Sequence, residues 1–185
     1  MIVTLASSSP RRKELIKKID GLTVNIAVSG ADENTTEVEP KRLVQELALL
    51  KAKAVYARQG GIVIGADTVV AVDGKILGKP RSAVEADEFF RLMCGKTHQV
   101  YTGIAVISDK REVVTYESTD VTFAPYDEVT IKRYIDSGSP FDKAGGYGIQ
   151  DEIIRPMIEK VDGDLDNVIG LPVQLLRKTL EENDW

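Results

Sequence analysis

The sequence has very few of the residues that build thiol, zinc or imidazole sites. It contains one cysteine and one histidine among 185 residues. A lone cysteine, Cys94, excludes an intramolecular disulfide and a cysteine-based zinc site. A lone histidine, His98, has no second histidine for a metal pair or a relay, so we expect a structural residue at a strand start. The remaining chemistry belongs to carboxylates, cations and a divalent metal.

The sequence also has no excess of positive charge and no long apolar run. Its 24 Lys and Arg residues face 29 Asp and Glu residues, giving a net charge of −5, which argues against binding of double-stranded nucleic acid. No apolar stretch reaches membrane-spanning length, and the N-terminus does not have the pattern of a signal peptide. No repeat or linker divides the chain. We therefore expect one cytoplasmic domain covering residues 1–185, with no membrane partner.

Apolar patterning alternates between strand and helix signals along the chain. The Asp73-Gly74 pair predicts a hairpin turn, and Ser82 followed by Glu85 predicts a capped helix. This mixture of hairpins and helical connections predicts an α/β fold with a mixed sheet flanked by helices. The predicted strands are 2–6, 23–29, 62–72, 75–77, 97–108, 112–123 and 152–160. The predicted helices are 10–19, 40–58, 82–93, 127–136 and 172–181.

The helix predicted over 40–58 has an apolar stripe that one lysine interrupts. The stripe predicts which face is buried, and its members are Leu43, Leu47, Leu50, Ala54 and Val55. Lys51 breaks this pattern. It is either a ligand-binding cation or a lysine whose stem lies along apolar surface while its ammonium reaches water.

The first predicted helix has cations where acidic residues are usual. Ser9 suits the N-cap and Pro10 the first helical position, yet Arg11, Arg12 and Lys13 follow. Cations in a first turn oppose the helix dipole, so a bound anion such as a phosphate would explain them. The alternative is a solvated basic turn with an ordinary serine cap.

A single carboxylate interrupts the most apolar segment of the chain. Asp67 lies within the run IVIGADTVVAV, where an unpaired carboxylate is costly to bury. The residue is either held for a metal or for proton transfer, or caps a bend in the strand.

Other polar residues stand where predicted elements end. Asp32 and Glu33 follow the second strand and can ligate Mg²⁺, although an acidic surface loop is the more frequent explanation for such a pair. Lys79 lies just beyond a strand, and the segment SPFDKAGGYGIQD carries Lys143 and Gln150 among glycines. Neither a P-loop of the Walker type nor a dinucleotide-binding glycine motif is present.

Three segments in this order resemble the Maf family: ASSSPRRKEL, GADTVVAVDGKILGKP, and DKAGGYGIQ followed by NVIGLP. The resemblance implies a nucleoside triphosphate pyrophosphatase with the fold of inosine triphosphate pyrophosphatases, two α/β lobes around a cleft and often a homodimer. It implies a divalent metal, Mg²⁺ or Mn²⁺, as the cofactor.

The resemblance also implies roles for individual residues. Asp67 would be the general base and would share the metal with Asp32 and Glu33. Lys79 would act as a catalytic cation facing the triphosphate. The other residues facing the triphosphate would be Ser8, Arg11, Arg12, Lys51 and Lys143. The combination of Arg11, Thr68 and Gln150 resembles the branch that acts on dTTP and UTP.

Two positions depart from the family pattern. Ser139 stands where glutamate is common, and we expect it to affect only the loop surface. Asp151 stands where glycine is common, beside Gln150, and bears on base preference. Two alternative functions stay open: a non-catalytic nucleotide-binding regulator of septum formation, and a pyrophosphatase for deaminated purine nucleotides.

Overall fold

The computed structural model describes the whole chain, Met1–Trp185. The strands are β1 (Ile2–Leu5), β2 (Thr23–Ile26), β3 (Val63–Val72), β4 (Lys75–Leu77), β5 (Thr97–Ile107), β6 (Glu112–Phe123) and β7 (Ile158–Asp162). The α-helices are α1 (Pro10–Ile16), α2 (Pro40–Gln59), α3 (Ala83–Met93), α4 (Glu128–Asp136), α5 (Leu165–Ile169) and α6 (Val173–Glu181). Short 3₁₀ turns cover Ser139–Asp142, Ala144–Gly146 and Arg155–Met157. None of the helices combines the length and apolarity that crossing a membrane requires.

The strands form one mixed sheet in the order β2-β1-β3-β5-β6-β7, with β4 paired to β3. Strand β1 is parallel to both β2 and β3, whereas β4 and β7 pair antiparallel with β3 and β6. Along β3 every residue except Thr68 is buried. A strand covered on both faces needs such a nearly continuous apolar run. The predicted mixed α/β sheet flanked by helices is confirmed.

The chain divides into two compact units. The first unit comprises Met1–Thr68, Thr102–Glu117 and Gly170–Trp185. The second comprises Val69–Tyr101 and Ser118–Ile169. Strands β3, β5 and β6 each contribute residues to both units.

Helix α2 packs very closely on strands of the first unit. A Cβ placed on Gly65 would lie 2.1 Å from the carbonyl oxygen of Ala48, and one on Gly103 would lie 2.2 Å from that of Val44. Only glycine permits such an approach of helix backbone to strand backbone. Since Lys51 follows Ala48 by one helical turn and Asp67 shares a strand face with Gly65, this contact brings their side chains together.

The predicted buried face of α2 is wrong in part. Leu43, Leu50 and Ala54 are only half-buried. The buried positions are Val44, Leu47, Ala48, Ala52 and Val55. Small alanines rather than leucines face the strands, because the glycines allow the helix to approach closely.

The second unit has an aromatic core that includes the lone histidine. His98 is fully buried, and its Nε2 lies 2.7 Å from the hydroxyl oxygen of Tyr147. Its ring also meets the ring of Phe123 edge to face. Burial lowers the pKa of His98 to about 4. The expectation of a structural histidine is confirmed.

The strand predicted over 152–160 is wrong in its first part. Residues from Glu152 to Met157 form turns and a 3₁₀ turn, and β7 begins only at Ile158. Pro156 has no N–H for a strand ladder, which accounts for the late start. Helix α5 was not predicted, because a single short turn gives no readable periodicity.

Candidate active site

The segment between β1 and α1 uses two of its three serines on its own backbone. Ser9 Oγ accepts a 3.4 Å hydrogen bond from the N–H of Arg12, and Ser7 Oγ accepts one of 3.2 Å from the N–H of Ser9. The predicted Ser9 cap is confirmed. Ser8 is exposed, and the first turn of α1 contains no acidic residue. Of these three serines, Ser8 is the one placed to reach a ligand.

The Arg12 guanidinium donates hydrogen bonds to two residues of the first unit. Nε donates a 2.7 Å hydrogen bond to the carbonyl oxygen of Gly170, and Nη2 donates one of 3.0 Å to Thr68 Oγ1. Burial lowers the pKa of Arg12, while the nearby carboxylates of Asp67 and Glu33 act in the opposite direction. Both acceptors are neutral oxygens, so an anionic ligand would stabilise this half-buried cation.

A threonine that the sequence analysis did not single out supports this arginine. Thr102, fully buried in β5, shares a 2.9 Å hydrogen bond with Thr68 Oγ1. The Thr68 hydroxyl therefore joins the Thr102 hydroxyl to the Arg12 guanidinium. The available signal was a hydroxyl in the apolar segment TGIAVI, which is weak because threonine is common in strands.

Lys51 lies between two carboxylates. Its Nζ is 2.5 Å from Asp67 Oδ1 and 3.1 Å from Glu33 Oε2. The Lys51 and Asp67 side chains are each 12% exposed, whereas that of Glu33 is 51% exposed. The structure thus brings together, around one ammonium, three residues that the sequence analysis singled out. Lys51 is not simply a lysine that extends to water.

The three predicted metal ligands do not gather into one cluster. No group of three metal-ligating side chains is present in the structure. Asp32 is exposed, and its Oδ1 accepts a 3.1 Å hydrogen bond from the N–H of Asn34. Glu33 and Asp67 still fit Mg²⁺, which proteins commonly bind through one or two carboxylates together with substrate phosphates. The Lys51 ammonium would have to leave them first.

The remaining predicted residues belong to the second unit, except Arg11, which is half-buried in the first turn of α1. Lys79 is exposed just after β4, and Gln150 is exposed in a turn. Lys143 is 12% exposed, and its Nζ donates to the carbonyl oxygen of Ser139 at 2.7 Å and to its Oγ at 2.9 Å.

The two positions that depart from the family pattern contact each other. Ser139 Oγ donates a 2.7 Å hydrogen bond to Asp151 Oδ2. The Tyr134 hydroxyl donates a 2.5 Å hydrogen bond to the same oxygen. Ser139 therefore does more than affect the loop surface, and that expectation is wrong. Spacings of 12 and 17 residues carry no periodic signal, so sequence reasoning missed these contacts.

Comparison with known proteins places this chain in a family. The Maf-like protein model matches residues 2–183. A dTTP/UTP pyrophosphatase of Symbiobacterium thermophilum is 46% identical over 171 residues, covering 91% of this chain and 87% of the relative. A protein of the same name from Deinococcus radiodurans is 46% identical over 179 residues, covering 96% and 91%.

Solved structures with low sequence identity share the fold. The Staphylococcus aureus Ham1 protein superposes with a TM-score of 0.61 at 15% identity, with full coverage of both chains at 100%. The nucleoside-triphosphatase or dITP/XTP pyrophosphatase of Mycobacterium abscessus gives 0.50 at 12% identity, covering 98% of this chain and 94% of that one. These likenesses confirm the expected fold. From the family match over nearly its whole length, the chain belongs to the Maf family.

Proposed function

We propose that this protein hydrolyses dTTP and UTP to the nucleoside monophosphate and pyrophosphate. Relatives at 46% identity over most of the chain bear the name of that activity. The first unit offers a buried carboxylate, a lysine in contact with it and a half-buried arginine that donates hydrogen bonds to two neutral oxygens. A carboxylate can take a proton from water, and cations can hold a polyanion.

The observation that carries the proposal is the burial of Asp67 and its contact with Lys51. The residue as a whole is 8% exposed, and its carboxylate accepts a hydrogen bond from the Lys51 ammonium. When the triphosphate binds, its phosphate oxygens would draw this ammonium away, since they are stronger competitors for a cation than one carboxylate. Asp67 would then be free to act on water.

The chemical step follows from that arrangement. Asp67 takes a proton from water as the water oxygen attacks the α-phosphorus. A new phosphorus–oxygen bond forms, and the bond from the α-phosphorus to the oxygen bridging the β-phosphorus breaks. The electron pair leaves with that oxygen, so pyrophosphate is released. In-line positioning and charge stabilisation supply most of the rate in such reactions.

Positive side chains would stabilise the charge that builds on pyrophosphate. In this proposal the side chains that bind the triphosphate are Ser8, Arg11, Arg12, Lys51, Lys79 and Lys143. Arg11 and Gln150 contribute to base preference, and Thr68 contributes by holding Arg12. Glu33 and Asp67 would hold Mg²⁺ or Mn²⁺, which when bound offsets negative charge on the phosphate oxygens.

Product analysis tests the proposal. Purified protein is incubated with a panel of nucleoside triphosphates and Mg²⁺, and pyrophosphate is measured separately from inorganic phosphate. We expect pyrophosphate from dTTP and UTP and little from ATP or GTP. Omission of the metal, by adding EDTA, should stop turnover.

The alternative functions are distinct outcomes of the same panel. Pyrophosphate mainly from inosine or xanthosine triphosphate would contradict the pyrimidine preference and keep the mechanism. Nucleotide binding without turnover would contradict the enzyme and favour a regulator of septum formation.

The proposal also covers the assembly of the protein and its location. On the basis of the family resemblance, the enzyme acts in the cytoplasm as a homodimer. Sedimentation equilibrium tests the dimer, and a monomer at micromolar concentration would contradict it.

A further inference from the structure

All three N–H donors of the Lys143 ammonium form hydrogen bonds in this structure. Besides its two hydrogen bonds to Ser139, its Nζ donates one of 2.8 Å to Asp142 Oδ1. A lysine has three N–H donors, so all are in use. To bind a phosphate oxygen, Lys143 has to give up one of these contacts.

The contact with Asp142 is the weakest of the set. The Asp142 side chain is 60% exposed, and ion pairs with exposed carboxylates contribute little because solvent screens them. The contacts with Ser139 lie on the protected side of the lysine. We therefore expect phosphate to replace Asp142, while Ser139 continues to hold the ammonium.

Asp151 fixes the serine that does this holding. Its Oδ2 accepts hydrogen bonds from the hydroxyls of Ser139 and Tyr134 and lies 3.6 Å from Lys143 Nζ. Because the Ser139 hydroxyl donates to Asp151, its lone pairs face Lys143. Burial acts to raise the pKa of Asp151, but these hydrogen bonds and the Lys143 charge lower it overall, so the carboxylate is ionised at neutral pH.

The backbone beneath this cluster is fixed as well. A Cβ on Gly148 would lie 2.7 Å from Lys143 Cε and 2.8 Å from Asp151 Oδ2. The Gly148 N–H donates a 3.0 Å hydrogen bond to the Tyr134 hydroxyl. The Asp151 N–H donates one of 2.9 Å to the Gly148 carbonyl oxygen. The lysine and the aspartate therefore pack directly over the turn that leads to Gln150.

We propose that Asp151 is a positioning residue for nucleotide binding: acting through Ser139, it holds the Lys143 ammonium in the orientation that receives the triphosphate. The proposal rests on the proposed function, since it assigns Lys143 to the phosphates. It makes Asp151 and Ser139 determinants of KM rather than of the chemical step.

If only the charge of Asp151 mattered, KM would change in the opposite direction. If Asp151 acted only through its negative charge, its removal would make Lys143 a better phosphate ligand, and KM would fall. A positioning role predicts that KM rises when the acceptor is removed. It also predicts that an amide oxygen at the same place can substitute for the carboxylate.

The test compares three variants by steady-state kinetics with dTTP. We expect Asp151→Ala to raise KM by about fivefold or more with kcat little changed, the scale of one lost hydrogen bond. Asp151→Asn, which keeps an oxygen acceptor, should restore KM to within about twofold of the wild-type value. The matched control Asp142→Ala removes the more exposed carboxylate from the same ammonium, and its KM should stay the same or fall.

Two results would overturn the proposal. One is an unchanged or lower KM in Asp151→Ala, and the other is a rise in Asp142→Ala as large as in Asp151→Ala. If Asp151→Ala does not fold, as judged by circular dichroism, Ser139→Ala replaces it with the same expected rise in KM. In a Lys143→Met background, the Asp151→Ala change should have no further effect, and an additive effect would show that Asp151 does not act through Lys143.

Wild-type turnover separates this proposal from the proposed function. Absence of pyrophosphate release by the wild-type protein refutes the function itself. Normal release by the wild-type protein together with an unmoved KM in Asp151→Ala refutes only the positioning role.

Discussion

Each unit of the molecule places one lysine ammonium between a protected and an exposed carboxylate. In the first unit, Lys51 contacts Asp67, 12% exposed, and Glu33, 51% exposed. In the second, Lys143 lies near Asp151, 31% exposed, and contacts Asp142, 60% exposed. The charge pattern is the same in both places, so charge alone does not decide what each site does.

The difference lies in what else binds the protected carboxylate. Asp151 also accepts hydrogen bonds from two hydroxyls, those of Tyr134 and Ser139. Asp67 receives its hydrogen bond from Lys51, a cation that a phosphate can attract away. A carboxylate held by several neutral donors is suited to a fixed structural role, whereas one held by a single displaceable cation is suited to taking a proton.

Exchange of Asp67 for an amide should give the largest effect. Asp67→Asn removes the proton acceptor with little change in shape, so we expect kcat to fall by about a thousandfold, as for loss of a general base. The melting temperature, measured by circular dichroism, should stay close to that of the wild-type protein. Near-normal turnover of the purified variant would remove Asp67 from the mechanism.

Removal of the Lys51 ammonium should have the next largest effect. Lys51→Met leaves Asp67 and Glu33 without their cation and takes one charge from the phosphate site, so we expect kcat/KM to fall about a hundredfold. The control is Lys53→Met on the same helix. Lys53 forms an exposed ion pair with Glu112, the two side chains being 54% and 43% exposed, and its loss should change kcat/KM less than twofold or so. Equal losses in both variants would contradict a specific role for Lys51.

Lower pH should reduce the free energy of unfolding, because the second unit contains a buried histidine. His98 has its pKa lowered to about 4 by burial, and its Nδ1 has no hydrogen-bond partner. Below the ordinary value near 6.5, the unfolded chain takes up a proton that the folded chain excludes, so stability falls as pH falls from about 6.5 towards 4.

Denaturant unfolding at pH 7 and pH 5 measures this effect. We expect His98 to account for about 2 kcal/mol of the loss between these values. A His98→Gln variant, though less stable overall, should lose that much less between the two pH values. An equal loss in the variant and the wild-type protein would assign the acid sensitivity to other groups.

The smallest effect should come from Thr102, whose hydroxyl binds the Thr68 hydroxyl that in turn binds Arg12. Thr102→Val keeps the shape of the side chain but removes the hydroxyl that binds Thr68, so we expect a rise in KM of about threefold. The control is Thr97→Val in the same strand, which breaks an exposed threonine–threonine hydrogen bond of 2.8 Å. A larger change in Thr97→Val than in Thr102→Val would contradict the link from Thr102 to Arg12.

Local rules were sufficient to predict much of the fold. The strand and helix alternation, the Asp73-Gly74 turn and the serine caps at Ser9 and Ser82 all depend on residues close in sequence, and the structure contains them. The sequence also singled out Asp67 and Lys51, because each breaks an apolar pattern. A costly polar residue in a buried element is visible without any structure.

The missed features depend on contacts between distant residues. The face of α2 is set by Gly65 and Gly103, and no helical period of α2 itself records them. The hydrogen bonds from Tyr134 and Ser139 to Asp151 cross loops whose paths are fixed only by packing. Asp32 differs, because here a local pattern predicts a long-range contact. The adjacent acidic residues predict a shared metal site, whereas the Asp32 carboxylate accepts a hydrogen bond from the backbone of its own loop.

An isotope experiment tests the central claim most directly. The protein hydrolyses dTTP in water enriched in ¹⁸O, and both products are examined by mass spectrometry. Attack of water on the α-phosphorus places one ¹⁸O atom in thymidine monophosphate and none in pyrophosphate, and this is the result we predict. Label in pyrophosphate, or release of labelled inorganic phosphate, would show that water attacks another phosphorus and would contradict the mechanism.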